Sequence, residues 1–134
     1  MFDVLDMGAS GLQAQRTRLD TIAANILNAN TTRDAAGRAV PYRRRFALFA
    51  PGRPDDPRKP GVRVSEIRQD PTPFQRRYEP GHPDADAAGY VRYPNIDVSI
   101  EYVNALEASR AYEATVSMME VSKAMLNASL RLIA

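Results

Sequence analysis

The segment PGHPDADAAGY (residues 80–90) carries the chain's one histidine, His82, beside Asp84 and Asp86. An imidazole and two carboxylates are the donor types of a metal site or an acid–base pair. No second histidine and no cysteine completes either arrangement, and Asp-Ala alternation between proline and glycine is the composition of a turn. The segment is read as a turn. An enzyme using His82 and Asp84 is the alternative, which would require activity lost in His82→Ala. A second cluster, Arg43-Arg44-Arg45, offers guanidiniums to phosphates. Against that use, Arg68, Arg76 and Arg77 are interspersed with Glu66, Asp70 and Glu79, the mixed charge of a solvated or subunit-contacting face. A small basic nucleic-acid-binding module built on the Arg43–Arg45 strand is the alternative function from a different class. No phosphate-binding glycine loop, nucleophile elbow or dinucleotide fingerprint occurs. Asn30–Thr32 matches the glycosylation acceptor pattern, but no signal peptide accompanies it. The reading is therefore a protein that is not an enzyme, with no cofactor, metal, small-molecule substrate or nucleic acid.

The elements that carry these residues follow from composition. The 134 residues suffice for one modest domain, and 44% hydrophobic with 25% charged content is ordinary for a soluble chain. Of 10 prolines, only Pro94 lies outside Pro41–Pro83. The chain thus reads as helix former (1–32), Pro/Arg-rich insert (33–94) and helix former (95–134). Thirteen basic against eight acidic residues fall in 33–92, while both flanking segments are net acidic. Without cysteine, disulfides and thiolate chemistry are excluded. No apolar run approaches the roughly 20 residues of a membrane span, so no direct membrane insertion is expected. The start, MFDVLDMGAS, lacks a basic n-region, which argues against a cleaved secretory signal.

Leu5, Leu12, Leu19 and Ile26 recur every seven residues, with Ile22, Ala29, Gly8 and Gln15 between them. That is an imperfect coiled-coil stripe. Gly8 and Gly11 weaken it by about 1 kcal/mol each but allow a neighbour to approach closely. In the last segment Ala111, Met118, Met125 and Leu132 form one row, and Ala114, Val121 and Ala128 the other. Asn95 or Asp97 can cap this helix, and Glu101 complements its dipole. The run NILNANTTR closes the first helix, because Asn25, Asn28 and Asn30 compete for backbone hydrogen bonds. The two helices pair as an antiparallel hairpin, but stripes of Ala, Gly and Met bury little. Leu106, Leu126, Leu130 and Ile133 lie off the main seam, so apolar surface is left for partners. Between the helices, 42–50, 61–70, 76–80 and 89–93 read as strands, and PGRPDDPRKPG (51–61) as an exposed loop. The fold class is α+β: long terminal helices pairing as a coiled-coil-like hairpin, with a small irregular β-subdomain inserted.

The two ends, taken together, resemble the bacterial flagellar rod and hook proteins. ASGLQAQRTRLDTIAANILNANTT is similar to their N-terminal signature, through Asn25, Asn28, Asn30 and Thr31. NIDVSIEYVNALEASRAYEATVSMMEVSKAMLNASLRL is similar to their C-terminal helix, through Glu101, Arg110, Tyr112 and Glu113. NANTTR followed by PYRR, and YEPGHPDADAAGYVRYPN before the last helix, resemble the short proximal-rod members in particular. Leu27, Tyr102 and Thr115 depart from the pattern, which has alanine, methionine and asparagine there. The resemblance implies a structural subunit exported unfolded through the flagellar type III apparatus. It implies assembly with other rod subunits and copies of itself into a helical tube crossing the periplasm, which transmits torque from motor to hook. Such a tube needs head-to-tail contacts that do not close. The seams (Leu5, Leu12, Leu19, Ile22, Ile26; Ala111, Ala114, Met118, Val121, Met125) are expected to pack within and between subunits. Arg43 to Arg45 and Arg110 are expected to meet acidic surfaces of adjacent subunits.

Overall fold

In a computed structural model, which describes residues 2–134, two long helices enclose four short strands in chain order. Helix α1 is Phe2–Leu27, and strands β1 and β2 are Arg45–Pro51 and Val62–Gln69; β3 is Gln75–Tyr78, β4 is Tyr90–Tyr93 and helix α2 is Val98–Ile133. At 1.5 Å per residue the helices span about 39 and 54 Å. They run antiparallel: Gly8 faces Met119, Gly11 faces Thr115, Arg18 pairs with Glu107 and Asn25 meets Glu101. A Cβ on Gly8 would lie 2.6 Å from the Met119 Cγ, so the bare backbone there seats the methionine.

The helix ends follow local chemistry. Asp97, not Asn95, caps α2, its carboxylate accepting from the Ser99 and Ile100 N–H groups. Helix α1 ends at Leu27. There the Asn28 amide donates to the Ala24 carbonyl, and the Thr31 hydroxyl donates to Asn28 Oδ1. Asn28 therefore closes the turn as expected, whereas Asn25 lies inside the helix and Asn30 is exposed.

The insert is two separate antiparallel pairs rather than one sheet: β1 with β2, and β3 with β4. The first pair carries a bulge, where Leu48 faces Glu66 and Phe49 faces Val64. Ser65 is the extra residue, and its hydroxyl donates to the Leu48 carbonyl. Both β1 and β2 pack on α1, which is thus shared between the hairpin and α2. Ser10, Ala14, Thr21 and Asn25 recur at spacings of four and seven residues on α1, and all are buried. Ser10 accepts from the Val62 N–H, and Asn25 grips the backbone of Arg45.

The 51–61 loop is less exposed than its prolines suggest. Arg53 is buried, donating to Asp6 of α1 at 2.8 Å and to Asp55 at 2.9 Å. Gly52, at φ +102°, brings the backbone under Pro57, whose carbonyl oxygen a Cβ would strike. Only glycine fits that conformation without strain. The loop is a strap that ties the first turns of α1 to the hairpin.

Candidate functional site

Two features stand out on this scaffold, one internal and one exposed. The internal one is a polar hub where α1, α2 and the insert meet. Glu101, with 1% of its surface exposed, accepts from Arg44 Nε at 2.6 Å and from Asn25 Nδ2 at 3.1 Å. Asn25 is fully buried and exchanges both amide bonds with Arg45: Nδ2 to the carbonyl at 2.7 Å, Oδ1 from the N–H at 3.0 Å. Arg44 continues to Asp70 Oδ2 at 3.2 Å, and its N–H donates to Asn95 Oδ1 at 2.9 Å. Asn95 donates to the carbonyls of Asp70 and Thr72. The Asp70 carboxyl is held below its ordinary value, chiefly by the Thr72 N–H and then by the Thr72 hydroxyl and Arg44, against the opposing effect of burial. Arg43 donates to the carbonyls of Asp70 and Thr72 and stacks on Phe74.

This hub revises several expectations. Glu101 serves as the buried partner of Arg44, beyond favouring the α2 dipole. Arg43 and Arg44 are occupied within the chain rather than free for a neighbour, which also removes them from a phosphate-binding surface. Arg45 alone of the three is exposed, resting on Tyr42 at 5.5 Å.

The exposed feature lies on α2. The face turned to α1 is Glu101, Ala105, Ala108, Tyr112, Thr115, Met119, Ser122 and Leu126, a strict heptad in which only Met119 and Leu126 are large and apolar. Within it Glu101 and Ala108 are buried. The row read from the sequence is rotated away from this seam. Ala111 is half-buried, Ala114 is exposed, and Met118, Val121 and Met125 are 57–66% exposed. Those four exposed residues lie outside the seam with α1, Met125 at its border. The α1 row packs within the chain: Ile22 is buried, and Leu5, Leu12, Leu19 and Ile26 are half-buried. Beside Met125 a groove of about 260 Å³ opens between Val4, Leu5, Ser122, Leu126 and Ser129. Leu106, Leu130 and Ile133 are exposed as anticipated, but Leu126 belongs to the inner seam. Of the family-motif residues on α2, Tyr112 is half-buried while Arg110 and Glu113 are exposed. Leu27, which departs from the pattern of the resemblance, is 84% exposed. Sequence reasoning missed Ala105, Ala108 and Met119. Their signal was present, because alanine at heptad spacing marks a close helix contact as well as leucine does.

His82, Asp84 and Asp86 form turns. The His82 Nδ1 accepts from the Asp84 N–H. Asp84 accepts from the Thr32 hydroxyl at 2.7 Å and Arg33 Nε at 2.8 Å, while Asp86 accepts from the Ala88 and Tyr90 N–H groups. Among the described residues no group of three His, Cys, Asp or Glu side chains is arranged to hold a metal. The Thr32 hydroxyl first, then Arg33, hold the Asp84 carboxyl below its ordinary value, with burial opposing. A depressed folded value means that the unfolded chain takes up its proton first as pH falls. The contribution of Asp84 is therefore full above about pH 4 and is lost as pH falls through the depressed value. Asp84→Ala should lower Tm near neutrality, and thermal melts at decreasing pH should show the gap to the native chain narrowing below about pH 4. A constant gap would assign the loss to packing alone.

The family model described as flagella basal body rod protein matches residues 5–33, and that described as flagellar basal body rod FlgEFG protein C-terminal matches residues 87–132. The chain is 38% identical over 132 residues to the flagellar basal-body rod protein FlgC of Yersinia enterocolitica, covering 98% of this chain and 97% of that protein. It is 37% identical over 136 residues to FlgC of Salmonella typhimurium, covering 98% and 97%. With FlgC of Bacillus subtilis the identity is 37% over 149 residues, again covering 98% and 97%. The chain belongs to the FlgC family of flagellar basal-body rod proteins and is a structural subunit of the rod.

Proposed function

We propose that the α2 stripe of Ala114, Met118, Val121 and Met125 is the surface on which neighbouring rod subunits and copies of this chain assemble. One observation carries the reading: α2 completes its contact with α1 using a different seam, which leaves a row of large apolar side chains uncovered. Contiguous apolar surface of this kind marks a protein contact. Val4 and Met7 of α1 are also partly exposed, and Val4 extends the surface across the groove to Met125. Arg110, exposed one turn before Ala114, is a charged contact at this stripe, and the exposed Arg45 is a contact with an acidic surface of an adjacent subunit elsewhere.

The work of such a subunit is mechanical. As a proximal-rod component it passes torque along a helical tube crossing the periplasm, through head-to-tail contacts, and performs no catalysis. It reaches the rod through the flagellar type III apparatus. No described helix is long and apolar enough to cross a membrane. Residues 1–32 and 95–134 make the inner axial layer, and 33–94 the insert that the hub fixes to it.

Two adjacent methionines test the reading. Met118→Asp should abolish swimming in a strain lacking the native gene, while the purified chain keeps its helicity and Tm. Met119→Asp places the charge on the inner seam against Gly8 and should instead lower the helicity of the purified chain. Normal swimming with Met118→Asp removes the stripe from assembly.

A further inference from the structure

The outer face of the β3–β4 pair sets two like charges side by side, with one carboxylate, Asp86, near Arg76 and only the Ala39 carbonyl accepting from Arg92, at 3.3 Å. Arg76 stands directly across from Arg92, and Tyr78 across from Tyr90. Alternation puts these four on one face, opposite the buried Val91 and Tyr93. Like charges directly across a ladder are destabilising, and two four-residue strands form a sheet of marginal stability. The guanidiniums are nonetheless held in place by rings. Arg76 lies 4.8 Å from the Tyr90 centroid, which meets Tyr78 edge-on at 5.3 Å. Arg92 lies 5.8 Å from Phe74, whose ring Arg43 also covers at 4.2 Å. Among the described residues the only carboxylate within 4.0 Å of these three arginines is Asp86, at 3.7 Å from Arg76. Tyr78 is 65% exposed.

We infer that this face docks an acidic surface of a neighbouring rod subunit. Carboxylates between Arg76 and Arg92 relieve their mutual repulsion, and Tyr78 and Tyr90 supply the area that desolvates the ion pairs. Arginine and tyrosine are the side chains that dominate binding energy at protein contacts. Rings that already restrain the guanidiniums reduce the entropy lost on docking. The chain's basic excess is confined to residues 33–92, so the partner must bring the acids. The inference rests on the rod-subunit reading but uses a different element from the α2 stripe.

The test is a pair of double variants expressed in a strain lacking the native gene. Arg76→Gln with Arg92→Gln should raise the Tm of the purified chain, because the repulsion is gone, and yet reduce swimming. Arg76→Glu with Arg92→Glu should stop swimming, and motile revertants selected from it should carry Asp or Glu changed to Lys or Arg in a rod-subunit gene. A lower Tm in the glutamine variant would assign the charges to the fold and overturn the inference. Normal swimming in either variant, or revertants without acid-to-base changes in rod subunits, would also overturn it. So would arginine-dependent retention on single-stranded DNA by the purified chain, accompanied by normal swimming of the glutamine variant. Motility lost in Met118→Asp but kept here would sink this inference alone. The converse result would sink only the α2 stripe.

Discussion

Replacing Glu101 by alanine is expected to lower the unfolding free energy by about 3–5 kcal/mol, the range for breaking a buried ion pair by removing one partner. For a chain of this size that is a fall in Tm of roughly 10–15 °C. The carboxylate sits between three elements: α2 supplies it, α1 supplies Asn25, and the residue just before β1 supplies Arg44. Alanine strands the Arg44 guanidinium with Asp70 alone, removes one partner of the Asn25 amide, and leaves a void under α2. Glu101→Gln keeps the shape and one hydrogen bond, so it should cost less than alanine. The hub also sets the helix register, because sliding α1 by one turn would separate Asn25 from both Glu101 and Arg45. Exchanging Glu101 and Arg44 together for leucine should therefore recover much of the stability while impairing rod incorporation. Thermal melts of the three proteins check the order. An alanine variant within about 1 kcal/mol of the native chain would show that the hub is not structural.

The helices and strands were legible because each is written in local pattern and punctuation. Asp97 before an apolar-periodic run, glycines where Met119 and Thr115 approach, and alternation in Val62–Ile67 all declare themselves within a few residues. What the sequence concealed was non-local. Nothing near Glu101 says that it is buried, since its partners lie at Asn25 and Arg44, and a lone glutamate in the first turn reads as a dipole complement. The α2 seam was read one face away for a related reason. Periodicity finds the greasiest side of a helix, and here that side, Met118 to Met125, is the one the chain does not cover. The inner seam uses Ala105, Ala108, Thr115 and Ser122, which register as neutral on a hydropathy pattern although they permit the closest approach. Arg53 was masked by its prolines, because a proline-rich segment reads as solvated even when one side chain is tied to Asp6.

In dilute monomer the far end of α2 should be open, and amide hydrogen exchange should find residues 119–133 close to unprotected while 98–111 exchange orders of magnitude more slowly. The structure distinguishes the two termini in this respect. Helix α1 is tied as far out as Asp6 by Arg53, and at Ser10 by the Val62 N–H. Among the described residues helix α2 packs on no other helix or strand than α1, and past Ala108 none of its residues is buried. An isolated helical segment of about 15 residues is marginal in water, and a seam of Met119, Ser122 and Leu126 adds little burial to offset the entropy of ordering it. Circular dichroism of the monomer should accordingly show fewer helical residues than the 26 and 36 of the two helices, rising on assembly. Uniform protection along α2, with a single sharp melt, would mean that the pair is complete without a neighbour, and the exposed stripe would then lose its energetic reason to be covered. If the gradient is found, the residues that order last include Val121 and Met125, the far half of the stripe. Coverage by a neighbour would then supply the burial that completes the helix.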